Sequence, residues 1–401
     1  MRTVLFSAAV AAMSAMTAMT HAQSSRQIIG PDATRPFSSA VKAGGLIYVA
    51  GTIGPAAGGT LAKDIKGQTK QTLDNISATL ASAGSSLANA AAVMVYLRNA
   101  SDFAAMNEVY AAYWTKDPPT RTTVVVTQPL ALADGLIEIS IVAVPNGAER
   151  VVVHPKDWIK SPNPYSYGIK SGNTLFLSGL VSRNGKDNTT VKGDVTAQTK
   201  TVLDNGKAIL AEAAMSYADV VSSRIFLTDD TTFQAMNAAY RPYFTANSMP
   251  ARATVKTALT SADYAVEITM VAVKDASRKA ITTPNADGTP GTANPNLSSA
   301  IQVGNRLYLS GTLGNTAENK GDAKAQTAET LARISRTLKA AGFDWPSVVD
   351  GVVYLPDMTK YQDMNAAYRG ALVKDFPARA TVGTGLMGAD AMVEIMMTAV
   401  K

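Results

Sequence analysis

Cysteine is absent and histidine occurs only at His21 and His154. Disulfide frameworks, Cys-ligated zinc, iron–sulfur clusters and thiol catalysis are therefore excluded. His154 stands alone as a ligand type, so no metal is expected, and no cofactor either. Chemistry must come from carboxylates, Arg, Lys, Tyr or hydroxyls. Aromatics are sparse at 6%, and no run of four basic residues occurs despite a formal charge of +6 (37 basic minus 31 acidic). Scattered charge of this kind reads as a solvated surface and leaves no footprint for a nucleic-acid partner. With 46% apolar and 17% charged residues over 401 positions, the chain can bury several cores, and its length suggests about three domains.

Long apolar runs are missing beyond the N-terminus. There, Arg2 precedes an uncharged stretch from Val4 to Met19 and the small-residue site Thr20-His21-Ala22. Residues 1–22 are predicted to be a secretory signal cleaved after Ala22, which places the mature protein in the periplasm or outside the cell. An uncleaved anchor is the competing reading, but the stretch is too rich in Ala, Ser and Thr for a span. No membrane partner is expected after cleavage.

What is present is a unit repeated three times. Met-Asn-Ala-Ala-Tyr-Arg occurs at 236–241 and 364–369, with a weaker copy from Met106 to Tyr110. Each is followed by Pro-x-Arg, and the intervals Asn107 to Arg121, Asn237 to Arg252 and Asn365 to Arg379 are 14, 15 and 14. Apolar segments ending in Gly51, Gly179 and Gly311 stand upstream in the same order. Leu331, Ile334 and Leu338 recur at helical spacing after the third such segment, as do Leu73, Ile76 and Leu80 after the first, with Gly342 and Gly84 as stops. Each unit is predicted to open with a strand and to pass through this helix, a strand and a second helix carrying the Asn motif. Two closing strands follow. Ser101, Thr231 and Thr359 are candidate N-caps of the second helix. The turn-rich segment 274–297 and the shorter junction near Pro145 mark linkers. The domains expected are 26–146, 149–275 and 278–401, each α+β with two helices on one sheet face.

Alternation in Val266-Glu267-Ile268 puts Glu267 opposite the apolar side chains. Likewise Arg252 and Thr254 share one face of their strand. Arg and Glu are both expected on the sheet face without helices, where another unit would meet them.

The Gly-terminated strand, Met-Asn-x-x-Tyr helix, Pro-x-Arg strand opening and Glu in the last strand together resemble the RidA family, also called YjgF, over nearly all of residues 26–401. The resemblance implies chorismate-mutase-like α+β domains. As family members assemble into trimers with a central β-barrel, outer helices and clefts between subunits, it also implies a fused, intrachain pseudo-trimer. It implies hydrolysis of enamines and imines such as 2-aminoacrylate and 2-iminopropionate to 2-keto acids and ammonia. The family's carboxylate-binding arginine falls on Arg121, Arg252 and Arg379, and a guanidinium fork suits a carboxylate. Its water-handling glutamate falls on Glu138, Glu267 and Glu394. The Arg-to-Glu interval is 17 in the first copy and 15 in the others.

Other pocket positions implied are Asn107, Asn237 and Asn365, Thr123, Thr254 and Thr381, and the strand ends Ser178-Gly179 and Ser310-Gly311, where the first copy has Ala50. The cleft ring is Tyr165 or Phe37, replaced by Leu297 in the third copy. A structural role for the glutamates as partners of the arginines, and for Met-Asn-x-x-Tyr as helix packing, are the alternatives. The expected function is an exported imine deaminase acting on a small imino acid. A non-catalytic binder of small carboxylates is the second reading, and an endoribonuclease-type relative the weakest. A monomeric chain closed into a pseudo-threefold ring is expected.

Overall fold

The computed structural model describes residues 26–56, 58–245 and 249–401; the expected signal, residues 1–22, lies outside them. Three units of like construction follow one another. In the first, the sheet runs Gln27–Ile29, Ala40–Ala43, Leu46–Thr52, Ile137–Ala143, Ala90–Leu97, Thr120–Val125. The Arg-bearing strand lies parallel to its neighbour and at the edge, while the Glu-bearing strand is central and antiparallel. The second and third units repeat this order.

The long helices Ile65–Ser82, Val195–Glu212 and Ala323–Ala340 start for the same reason. Asp64, Asp194 and Asp322 each accept a hydrogen bond from a backbone N–H of the first turn, satisfying a donor the helix cannot. They end on a left-handed residue, Gly84 at φ +77° and Gly342 at φ +73°, but Ala214 at φ +56° in the second unit. The short helices Phe103–Tyr113, Phe233–Tyr240 and Tyr361–Leu372 begin differently from expectation. Ser101, Thr231 and Thr359 lie inside a preceding 3₁₀ turn. In the second and third units the capping acceptor is two residues earlier, where Asp229 and Asp357 take the N–H of Thr231 and Thr359. Carboxylates outcompete hydroxyls there because they bring charge to the positive helix end.

Each unit buries one sheet face under its helices. In the second, Val202, Leu203, Ile209 and Leu210 pack on Ile225, Leu227, Val266, Ile268 and Met270, and each such aliphatic side chain contributes about 1.5–3 kcal/mol. The other faces meet along the centre, where Tyr96, Val124, Phe226, Val255, Tyr354 and Val382 from all three units form one core.

The sheets do not fuse into one barrel, which corrects the expectation of a closed one: each remains a separate sheet, and the first and second each take an edge strand from the next unit. Ala258–Leu259 of the second unit pairs with the Arg121 strand, and Gly385–Leu386 of the third pairs with the Arg252 strand. At the third junction Thr127 N donates to Gly383 O at 3.0 Å, and Pro129 follows with no N–H to extend the pairing. An arginine before each opening strand reaches back to an adjacent unit: Arg150 to Ala90 O, Arg278 to Val220 O, and Arg26 to Asp375 O. The last of these closes the ring. Among the described residues no helix is long and apolar enough to cross a membrane.

Candidate active site

Strand register corrects the expected placement of the arginines. Arg252 and Thr254 pair with Ser223 and Ile225, whereas Glu267 pairs with Phe226. Ile225 belongs to the helix-covered core and Phe226 to the central one. Arg and Glu of one unit therefore project from opposite faces and cannot share a site. The same holds for Arg121 against Glu138, and for Arg379 against Glu394.

They meet across unit boundaries instead. Arg121 faces Glu267, Arg252 faces Glu394, and Arg379 faces Glu138, each pair attracting electrostatically. All six side chains are buried. Burial pushes each glutamate from its ordinary 4.5 up to about 8, only partly opposed by the facing arginine. For Glu267 the N–H of Thr123, donated at 3.3 Å, opposes it as well. A carboxyl so placed holds its proton at neutral pH.

The glycines explain the close approach. A Cβ on Gly51, Gly179 or Gly311 would fall 1.9, 2.0 or 1.8 Å from Oε1 of Glu138, Glu267 or Glu394. Any side chain there would expel the carboxyl. Ser178 and Ser310 rivet the units together: each hydroxyl donates to a carbonyl of its own unit, Ser166 O or Ser298 O, and accepts the backbone N–H of Arg121 or Arg252. The first copy has Ala50 at this place and forgoes that bond.

The arginines are held by rings. Arg121, Arg252 and Arg379 lie 4.7, 5.1 and 4.6 Å from the ring centres of Tyr110, Tyr240 and Tyr368. These are the tyrosines of the Met-Asn-x-x-Tyr helices, absent from the expected site because an aromatic at helical spacing reads as core. Their intervals to the arginine, 11, 12 and 11, were the available signal. Phe103 and Phe233 add a second ring for Arg121 and Arg252. The next unit supplies Tyr165 to Arg121 at 5.9 Å and Phe37 to Arg379 at 5.4 Å. Leu297 offers Arg252 no such ring. Cation–π contact favours the charge without consuming donors. Each guanidinium accordingly keeps a buried nitrogen without a protein partner: Nη1 of Arg121, Nε and Nη1 of Arg252, and Nε of Arg379.

The hydroxyls of Thr123, Thr254 and Thr381 are likewise buried and unpartnered. The asparagines diverge. Asn365 accepts from Arg379 at 2.8 Å, Asn107 donates to Asn163 at 3.4 Å, and both side-chain heads of Asn237 lack partners.

The cleft between the third and first units, lined by Phe37, Gly51, Glu138, Asn365, Arg379 and Thr381, holds about 570 Å³. That between the first and second, lined by Arg121, Thr123, Tyr165, Gly179, Glu267 and Arg183, holds about 240 Å³. Arg183 was not foreseen, since it occurs in one copy only. Among the described residues no group of three His, Cys, Asp or Glu could hold a metal ion.

The Endoribonuclease L-PSP family model matches this chain three times, at residues 28–145, 156–274 and 289–401. A RutC family protein of Pyrococcus horikoshii is 44% identical over 124 residues, 31% of this chain and 98% of its own. The 2-iminobutanoate/2-iminopropanoate deaminase of Escherichia coli is 36% identical over 113 residues, 28% of this chain and 88% of its own. Among solved structures, the YjgF gene product of E. coli is 32% identical and covers 31% of this chain and 98% of its own, with a TM-score of 0.29. A chorismatase covers 78% of this chain and 93% of its own at a TM-score of 0.52 and 14% identity, a likeness of fold alone. With the model spanning most of the chain in three successive matches, the chain belongs to the Endoribonuclease L-PSP family, the RidA family of its motifs, and carries three copies of the family unit in tandem.

Proposed function

We propose that the chain hydrolyses small 2-imino acids of the 2-aminoacrylate and 2-iminopropionate type to 2-keto acids and ammonia. One observation carries this reading: in all three clefts a buried guanidinium with an unpartnered nitrogen faces a buried glutamate from the adjacent copy. The arginine binds the substrate carboxylate through charge-assisted hydrogen bonds. The protonated glutamate gives its proton to the imine nitrogen as water adds to the C=N carbon. The resulting carboxylate takes a proton from the added oxygen, leaving a carbinolamine; it then gives that proton to the amine nitrogen and takes the remaining hydroxyl proton as C–N cleavage releases ammonia. Atoms balance as imine plus water to ketone plus ammonia. The name of the E. coli deaminase supports the substrate class.

The test generates 2-iminopropionate with an amino-acid oxidase and follows its loss. Faster decay with the protein is expected, and equal decay with and without it contradicts the reading. Capture without turnover is a second reading, favoured by the cleft of Arg252, where Leu297 replaces the ring. Calorimetry showing 2-keto acid binding without imine decay supports it. We further propose that one chain is the complete assembly, because the three units already cover each other's central faces; light scattering should give the mass of a single chain. Export through residues 1–22 is proposed as well, and cell fractionation that finds only full-length cytosolic protein contradicts it.

A further inference from the structure

The cleft between the first and second units carries a second arginine beside Arg121, whereas in the wider cleft the arginines beside Arg379 are otherwise engaged, Arg369 on the carbonyls of Ala33 and Thr34 and Arg35 on Asp32. Arg183 lines the cavity that also contains Arg121, Tyr165 and Glu267. It stands four residues after Gly179, where the other copies place Pro55 and Asn315 after Gly51 and Gly311. Its guanidinium is fixed from behind: Nε donates to Asn188 Oδ1 at 2.8 Å, Nη2 to Asn188 O, and Nη1 to Tyr264 Oη at 2.5 Å. Three of its five N–H groups are thus occupied and two remain. Among the described residues no carboxylate lies within 4 Å of it, in contrast to Arg35 at the wider cleft, which is matched by Asp32 at 2.7 Å. Arg121 and Arg183 both act on the phenol of Tyr165, which places the two charges around one ring. Glu267 is the carboxyl lining this cavity, and burial pushes it up to about 8.

A site with two held guanidinium groups, the outer one without a carboxylate partner, suits a ligand with two anionic ends. We infer that the cleft between the first and second units takes dicarboxylic 2-imino acids, the imines of acidic amino acids, with Arg121 on the 1-carboxylate and Arg183 on the distal one. This rests on the imine-hydrolysis reading and assigns a substrate class to one of its three sites. Arg183 is a specificity residue: its equivalents Pro55 and Asn315 lack a charge.

The stable keto acids separate the two claims. 2-Oxoglutarate and 2-oxopentanoate share a chain length and differ at the distal end, carboxylate against methyl. Calorimetry on the full chain should show a site binding 2-oxoglutarate about tenfold or more tighter than 2-oxopentanoate. Arg183→Gln should abolish that difference while leaving 2-oxopentanoate unchanged. Equal binding of the two acids by the wild type, which needs no variant to fold, overturns the inference and leaves imine hydrolysis standing. An Arg183→Gln variant that weakens both acids alike also overturns it, showing that Arg183 only buttresses the loop around Asn188. If neither acid binds and 2-iminopropionate decay is unaffected, the hydrolysis reading falls too.

Discussion

The clefts and the central axis of this chain have treated their three copies in opposite ways. In the clefts Arg, Glu, Gly and Thr recur in every copy. On the axis one level holds Met94, Arg224 and Val352 and the next holds Ala92, Ser222 and Asp350, all lining a cavity of about 110 Å³. The reason is geometric. Each cleft needs its own arginine and glutamate, whereas an axial level sees all three copies at once. Three arginines at one axial level would repel across a few ångströms in a low-dielectric interior. A fused chain escapes that constraint by setting one Arg224 against one Asp350. Burial works against the Arg224 charge, but Tyr354, Tyr96 and Asp350 outweigh it, while burial raises Asp350.

Asp350→Ala breaks the axial side of this comparison most severely. It removes the carboxylate that attracts Arg224, leaving Tyr354 and Tyr96 as its partners, and should cost about 1–2 kcal/mol in chemical denaturation. Adding Arg224→Met, which copies the first unit's Met94 and Ala92, should restore most of that loss. Additive effects would show that the two groups are not coupled.

On the cleft side, the glutamates set a pH dependence. Each has a folded pKa of about 8 against an ordinary 4.5. Between those values the folded chain keeps protons that the unfolded chain releases. Their contribution to stability is therefore complete below about 4.5 and is lost as pH rises through about 8. Denaturation midpoints at pH 5 and pH 8 should show this fall, and Glu267→Gln should reduce it. An unchanged slope in that variant would mean that Glu267 is ionised in the folded state.

The smallest effect lies outside both regions and calibrates them. Ala214 adopts the left-handed conformation that Gly84 and Gly342 occupy in the other copies. Ala214→Gly should stabilise the chain by about 1 kcal/mol, seen as a raised thermal midpoint.

Much of this architecture could be read from the sequence because repetition exposed it. Leu73, Ile76 and Leu80 marked a helix, and Pro-x-Arg marked a strand opening. Alternation correctly separated Glu267 from Ile268, but it gives only parity along one strand. It could not tell that Arg252, on the last strand of its own unit, shares the helix-covered face and stacks on Tyr240. Tyr110, Tyr240 and Tyr368 were hidden because helical spacing makes core and ligand-supporting aromatics look alike. Arg183 was hidden because it has no counterpart to repeat. Asp229 and Asp357 were missed as caps because a 3₁₀ turn precedes each helix.

The central claim is that every site is shared between adjacent copies, and a double-mutant cycle on 2-iminopropionate turnover tests it most directly. Arg379→Ala and Glu138→Gln lie in different units but in one cleft, so the double variant should lose no more activity than the more damaging single one. Arg379→Ala with Glu394→Gln lies within one unit but in two clefts, so its losses should add. Additive losses for the first pair, with non-additive losses for the second, would contradict the account.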